Sequence, residues 1–178
     1  IIEKATKIWP VNYGDFFSFE DDTKNDFKIM RASISDKSSR IMSRGKKPYY
    51  LYKDTVMRKL YPFKPELITE LQIVSDNNSN NIDVKFNNGH FLHQFTYFIG
   101  PVNFYYMLNG MKKVAVMNTG DSMYISPYIP HSFATRKNNQ GLLGKIIAIT
   151  YSDKLDNETL NESSSIGFNL IKKLKINL

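Results

Sequence analysis

The chain has 178 residues, 42% of them hydrophobic and 13% aromatic, which is enough apolar surface for one folded domain and argues against disorder throughout. Twenty-four basic against seventeen acidic residues leave a net charge of +7, a balance that suits nucleic acid or a small anion. Cysteine is absent, which excludes disulfides, thiolate zinc sites and cysteine nucleophiles and leaves only nitrogen and oxygen side chains to ligate a metal.

Residues 1–35 show no clear periodicity, and "EDDTKND" (20–26) reads as an acidic loop, so residues 1–40 are expected to be an N-terminal extension packed on the domain formed by the later residues. From Tyr49 to Val74 aromatic and β-branched residues alternate with polar ones. The stretch "YPFKPE" (61–66), with its two prolines, is predicted as a loop between two strands. "SDNNSNN" (75–81) is a turn-rich polar loop. Beyond it the pattern becomes regular: "IDVKF", "HFLHQFTYF", "NFYYMLNG", "KKVAVMN", "MYISP", "HSFATR" and "LLGKIIAITYS", separated by Gly, Asn and Pro turns. Short strands about ten residues apart predict an antiparallel β-sandwich or small barrel, here over residues 41–155. "IGFNLIKKLK" has helical spacing and predicts one amphipathic helix within 156–178.

The basic excess is mostly lysine and scattered. Its densest stretches, "RGKK" (44–47) and "IKKLKINL" (171–178), lack the heptads, zinc spacing or helix-turn-helix pattern of a nucleic-acid module and read as solvated faces. A run of about 18 apolar residues and a leader pattern are also missing. The expectation is a cytoplasmic protein with no nucleic-acid or membrane partner.

Three histidines remain. His90 and His93 lie in "NNGHFLHQF" and His131 in "ISPYIPHSF", with no acid beside them. In a pleated strand His90, Leu92 and Gln94 share a face and His93 takes the other. Four residues of extended strand span roughly 13 Å, too far for one metal. The chain therefore has to bend if His90 and Gln94 are to meet, and the turn residues Asn87, Asn88 and Gly89 allow that. A glutamine oxygen is a poorer donor than a carboxylate.

"GDSMYISPYIPHSF" resembles the second motif of the cupin superfamily, in which the histidine matching His131 ligates a metal inside a double-sheet jelly roll. "HFLHQF" stands where the first motif usually offers His-x-His followed by Glu. With "SRGKKPYYLY", the match covers roughly residues 40–151 and resembles the phosphonate-active non-haem iron oxygenases. The resemblance implies a mainly β cupin fold with Fe(II) as cofactor. In one branch of the family the iron takes two histidines and a glutamate six residues before the second; here that position is Ile125. Another branch has a hydrophobic residue there and a glutamine four residues after the first histidine, which implies His90, Gln94 and His131 as the ligands. The family's phosphonate-binding arginine and tyrosine, eight apart, match Arg44 and Tyr52, and its asparagine three before the first histidine matches Asn87. A lysine usually completes that pocket, and nothing in the sequence singles it out among nineteen. The implied reaction cleaves the C–C bond of 2-hydroxyethylphosphonate with O2 to methylphosphonate and carbon dioxide, in a homo-oligomer. The alternatives are the sister reaction, which gives hydroxymethylphosphonate and formate, and a ligand-binding cupin that needs no metal.

Overall fold

Residues 27–57 and 63–151, with Lys4 and Lys7, are described by the computed structural model of the protein. The expected acidic loop, most of the N-terminal extension and the expected C-terminal helix lie outside these residues. A short helix, α1 (Ala32–Lys37), precedes ten strands: β1 (Arg40–Arg44), β2 (Lys47–Asp54), β3 (Phe63–Glu70), β4 (Ile73–Val74), β5 (His93–Ile99), β6 (Val102–Leu108), β7 (Met111–Met117), β8 (Ser122–Ile125), β9 (His131–Arg136) and β10 (Lys145–Tyr151). They form a six-stranded sheet in the order β1-β2-β3-β10-β5-β8 and a four-stranded sheet in the order β4-β9-β6-β7. Every pairing is antiparallel except β4 with β9.

Alternation decides which side chains fill the space between the sheets. On β5, Gln94, Thr96 and Phe98 are buried while Phe95 and Tyr97 are exposed. Tyr50, Ile68, Ile125, Ile146 and Ala148 join Phe98 from the larger sheet, and Phe104 and Phe133 come from the smaller one. Phe98 and Phe133 meet with ring centroids 6.1 Å apart. Residues "RGKK" make the tight β1–β2 hairpin: Gly45 and Lys46 both have positive φ, which a two-residue hairpin turn requires. Lys46 and Lys47 stay exposed there, as expected for a solvated run.

Three sequence readings need correction. Residues 82–86 are not a strand, because their backbone donors are engaged locally: Asp83 N bonds Asn81 Oδ1, Val84 N bonds Asn81 O and Lys85 N bonds the Tyr49 hydroxyl. Pro65 lies inside β3 rather than in a loop. The β2 pairing ends at Asp54↔Glu66, so the N–H that proline lacks is not needed on that side. Finally, β5 begins at His93, and His90 lies ahead of it, on the far side of a bend at residues 91–92. Among the described residues no helix is long and apolar enough to cross a membrane.

Candidate metal centre and anion pocket

Two loops meet at one end of the barrel, the one before β5 and the one between β8 and β9. Asn87 N bonds His131 O at 3.0 Å and Tyr128 N bonds His90 O at 2.7 Å, which ties them together. Gly89 permits the approach: its φ is +77°, and a Cβ there would lie 2.5 Å from the Tyr128 backbone carbon. The bend after His90 brings its ring back over the start of β5, as the pleat argument required for His90 and Gln94 to meet.

Both imidazoles are held by backbone carbonyls, which can only accept. His90 Nδ1 donates to Leu92 O at 2.8 Å and His131 Nδ1 donates to Ile129 O at 2.8 Å. In the neutral ring each Nε2 then carries the lone pair. Gln94 Nε2 donates to Thr96 Oγ1 at 2.8 Å, which leaves Gln94 Oε1 facing His90 Nε2 at 3.1 Å. Such a contact needs a proton or a metal ion between the two atoms. Cis ligands on bonds of about 2.1 Å stand about 3.0 Å apart, so the spacing fits a shared metal. The two rings are 5.1 Å apart and nearly perpendicular. Burial, with a smaller contribution from His90 and Arg44, pushes the His131 pKa down to about 4, so its imidazole is neutral and available as a ligand.

Register places Ile125 directly opposite Gln94. The position where a glutamate ligand would stand is thus the cross-strand neighbour of the glutamine, and it is buried and apolar. Among the described residues no three His, Cys, Asp or Glu side chains cluster as a metal site, so a metal held here would need a further donor such as an amide. Asn87 braces the site: Oδ1 accepts from His131 N at 2.8 Å and Gly89 N at 2.9 Å, and Nδ2 donates to the His131 Nε2 lone pair at 3.0 Å, a bond that a metal on that nitrogen would displace.

His90, Gln94, His131 and Asn87 line one cavity of 490 Å³, which Arg44 and Tyr52 also line. Arg44 bonds the Lys85 carbonyl and reaches Ser132 Oγ at 3.4 Å, with its guanidinium 4.8 Å above the Tyr50 ring. Ser132 Oγ also bonds the hydroxyls of Tyr49 and Tyr50, at 3.0 and 3.2 Å. Burial first, then Glu70 and Glu66, push the Tyr52 pKa up to about 12, so the phenol remains an O–H donor. Lys64 is the described lysine that lines the cavity, and its ammonium lies 3.0 Å from Glu66, which also pairs with Arg40. His93 takes no part. Its ring stacks on Tyr124 and Tyr151 on the outer face of the sheet, at 5.8 and 5.4 Å, and bonds the Tyr124 hydroxyl.

Sequence reasoning missed Thr96, Ser132, Tyr50 and the two carbonyls that set the tautomers. Thr96 was within reach of the pleat rule, since it follows Gln94 by two on the same face. Ser132 and Tyr50 come together only because the two sheets face each other, across more than eighty residues of chain.

Two facing, largely antiparallel sheets with two imidazoles and an amide oxygen converging at one end define a cupin-type barrel with a cluster of nitrogen and oxygen donors. The chain is 53% identical over 94% of its length to methylphosphonate synthase of Nitrosopumilus maritimus (strain SCM1) and covers 36% of that protein. Over 104 residues it is 29% identical to (S)-2-hydroxypropylphosphonic acid epoxidase of Streptomyces wedmorensis, which is 58% of this chain and 49% of that one. Among solved structures, Streptomyces albus HEPD with 2-hydroxyethylphosphonate and Fe(II) bound has a TM-score of 0.78 at 39% identity, over 97% of this chain and 39% of that chain. Fe(II) HppE in complex with substrate has a TM-score of 0.59 at 25% identity, over 73% and 63%. No family model matches. The resemblance read from the motifs thus extends over nearly the whole chain, which itself spans between a third and a half of the curated relatives' length.

Proposed function

We propose that this chain is the iron-holding barrel of an oxygenase that cleaves the C–C bond of 2-hydroxyethylphosphonate. One substrate and one O2 give one methylphosphonate, one carbon dioxide and one water, which balances without a co-substrate. The observation that carries the reading is the approach of His90 Nε2 to Gln94 Oε1, 3.1 Å apart, in a cavity that His131, Arg44, Tyr52 and Asn87 also line. The activity named for the N. maritimus relative and the substrate and metal in the S. albus structure support it.

His90, Gln94 and His131 hold Fe(II) in this reading. Iron bound there supplies the one-electron chemistry with dioxygen that organic side chains lack. Arg44 binds the phosphonate through charge-assisted hydrogen bonds, with Tyr52 O–H and the Asn87 amide as neutral donors. Arg44 turns into the cavity while its lysine neighbours stay in solvent, which favours a small anion over nucleic acid as the partner. Ile125 keeps the position opposite Gln94 apolar, so the third ligand is neutral. The site is then one charge unit more positive than with glutamate, which disfavours removing further electrons from it and selects methylphosphonate over hydroxymethylphosphonate.

The test is anaerobic Fe(II) titration of histidine variants. His90→Ala and His131→Ala should abolish stoichiometric binding and His93→Ala should retain it. Equal losses from all three would overturn the ligand set.

A further inference from the structure

An amide ligand poses a problem that a carboxylate does not. Whichever way a carboxylate turns, an oxygen faces the metal and the other can still accept. An amide that ligates through its oxygen leaves an NH2 group at its far end, and in a buried site that group needs an acceptor. Gln94 is only 5% exposed, so water does not meet the need. Of its two cross-strand neighbours, Ile125 offers no polar atom and Thr150 turns its hydroxyl to the Lys64 carbonyl at 3.4 Å, while the strand-mates Phe95 and Phe98 are aromatic hydrocarbons. One side chain supplies the acceptor: Thr96 Oγ1, 2.8 Å from Gln94 Nε2 and fully buried.

We infer that Thr96 is the positioning residue that makes a glutamine serviceable as the third metal ligand, by accepting the amide hydrogen that Gln94 presents away from the metal. The inference rests on the proposed ligand set, His90, Gln94 and His131. The hydroxyl touches neither substrate nor metal and acts entirely through Gln94. Position 96 is two residues after the ligand on the same strand face, so the ligand and its brace move as one rigid unit of β5. Removing the hydroxyl while keeping the shape leaves the amide two poor choices: to ligate with its NH2 group orphaned, or to rotate and present that group, which has no lone pair, to the metal.

The experiment is a double-mutant cycle in the full chain, read by anaerobic Fe(II) titration and by the ligand-field absorption of the Co(II)-loaded protein. Thr96→Val should weaken Fe(II) binding by about 10- to 100-fold, the usual range for loss of an outer partner of a metal ligand. It should also alter the Co(II) spectrum, and Thr96→Ser should restore both. In a Gln94→Ala background Thr96→Val should have no further effect on affinity, which a merely structural threonine would not reproduce. Equal affinity in Thr96→Val and the parent, or an undiminished loss in the Gln94→Ala background, would overturn the inference while leaving the ligand set standing. A parent chain that takes up no Fe(II), or takes it up unchanged after Gln94→Ala, would overturn the ligand set itself.

Discussion

Asn87 has two tasks that substitution can separate. Its oxygen accepts from two backbone N–H groups, those of Gly89 and His131, and so joins the loops that carry the two histidines. Its amide nitrogen points into the cavity beside His131 Nε2. Asn87→Ala orphans both N–H groups. Each loss costs roughly 1–3 kcal/mol when the group is buried, and because this site borders a cavity that water can enter, the low end applies to each, about 2 kcal/mol together. Asn87→Asp keeps the oxygen, the shape and both backbone hydrogen bonds, and with Fe(II) on the His131 Nε2 lone pair its second oxygen meets no bare acceptor, so the stability of the Fe(II)-loaded variant should stay within about 1 kcal/mol of the parent. For substrate binding the order reverses. Alanine removes one donor to a charged ligand, worth about 1.5–3 kcal/mol. Aspartate removes the same donor and sets a second anion against the phosphonate, so it should bind more weakly still. Urea unfolding and calorimetric titration with 2-hydroxyethylphosphonate on the same three Fe(II)-loaded proteins read both effects. Equal stability losses in the two variants, or an aspartate variant that binds substrate like the parent, would refute the assignment.

Arg44→Ala should weaken substrate binding by about 1.5–3 kcal/mol and leave Fe(II) stoichiometry intact; unchanged substrate affinity in a calorimetric titration would return Arg44 to a purely structural role on Tyr50 and Ser132. Glu70 is fully buried, and among the described residues its carboxyl oxygens have no hydrogen-bond partner. Burial pushes its pKa well above the usual range, with Arg44 opposing. A folded-state pKa above the unfolded one means that the folded protein binds more protons, so this stabilising contribution is complete below about pH 4.3 and is lost as pH rises toward the folded pKa. Glu70→Gln should therefore gain on the parent as pH rises above about 4.3, by up to about 1.4 kcal/mol per pH unit until the folded pKa is reached, and parallel stability profiles in urea unfolding would contradict it.

Much of the barrel was legible because β5, β6, β7 and β9 are short runs rich in aromatic and aliphatic residues, each closed by Gly, Asn or Pro. The pleat separated Gln94 from His93, and the distance argument demanded a bend, but apolar alternation alone would have turned Phe95 and Tyr97 inward, and the bend falls at residues 91–92 rather than at the turn residues 87–89. Alternation also failed at 82–86, where Ile82, Val84 and Phe86 alternate like a strand yet asparagine side chains and the Tyr49 hydroxyl have already taken the backbone donors. Nothing in the sequence marks the carbonyls of Leu92 and Ile129 as the groups that set the histidine tautomers, since every residue carries one. Nor does it reveal that Ile125 faces Gln94. That pairing belongs to the register of β5 with β8, which only the folded sheet defines.

The proposed reaction makes a sharp demand on where one hydrogen goes. In methylphosphonate formation a hydrogen from the hydroxyl-bearing carbon of 2-hydroxyethylphosphonate ends in the product methyl group, and the carbon that carried it leaves as carbon dioxide. The direct measurement is phosphorus and deuterium NMR of the products after aerobic incubation of the Fe(II)-loaded chain with substrate deuterated and carbon-labelled at that carbon. Methylphosphonate with one deuterium in its methyl group and the label in carbon dioxide is the expected result; hydroxymethylphosphonate with labelled formate would contradict the steering role given to Gln94 and Ile125.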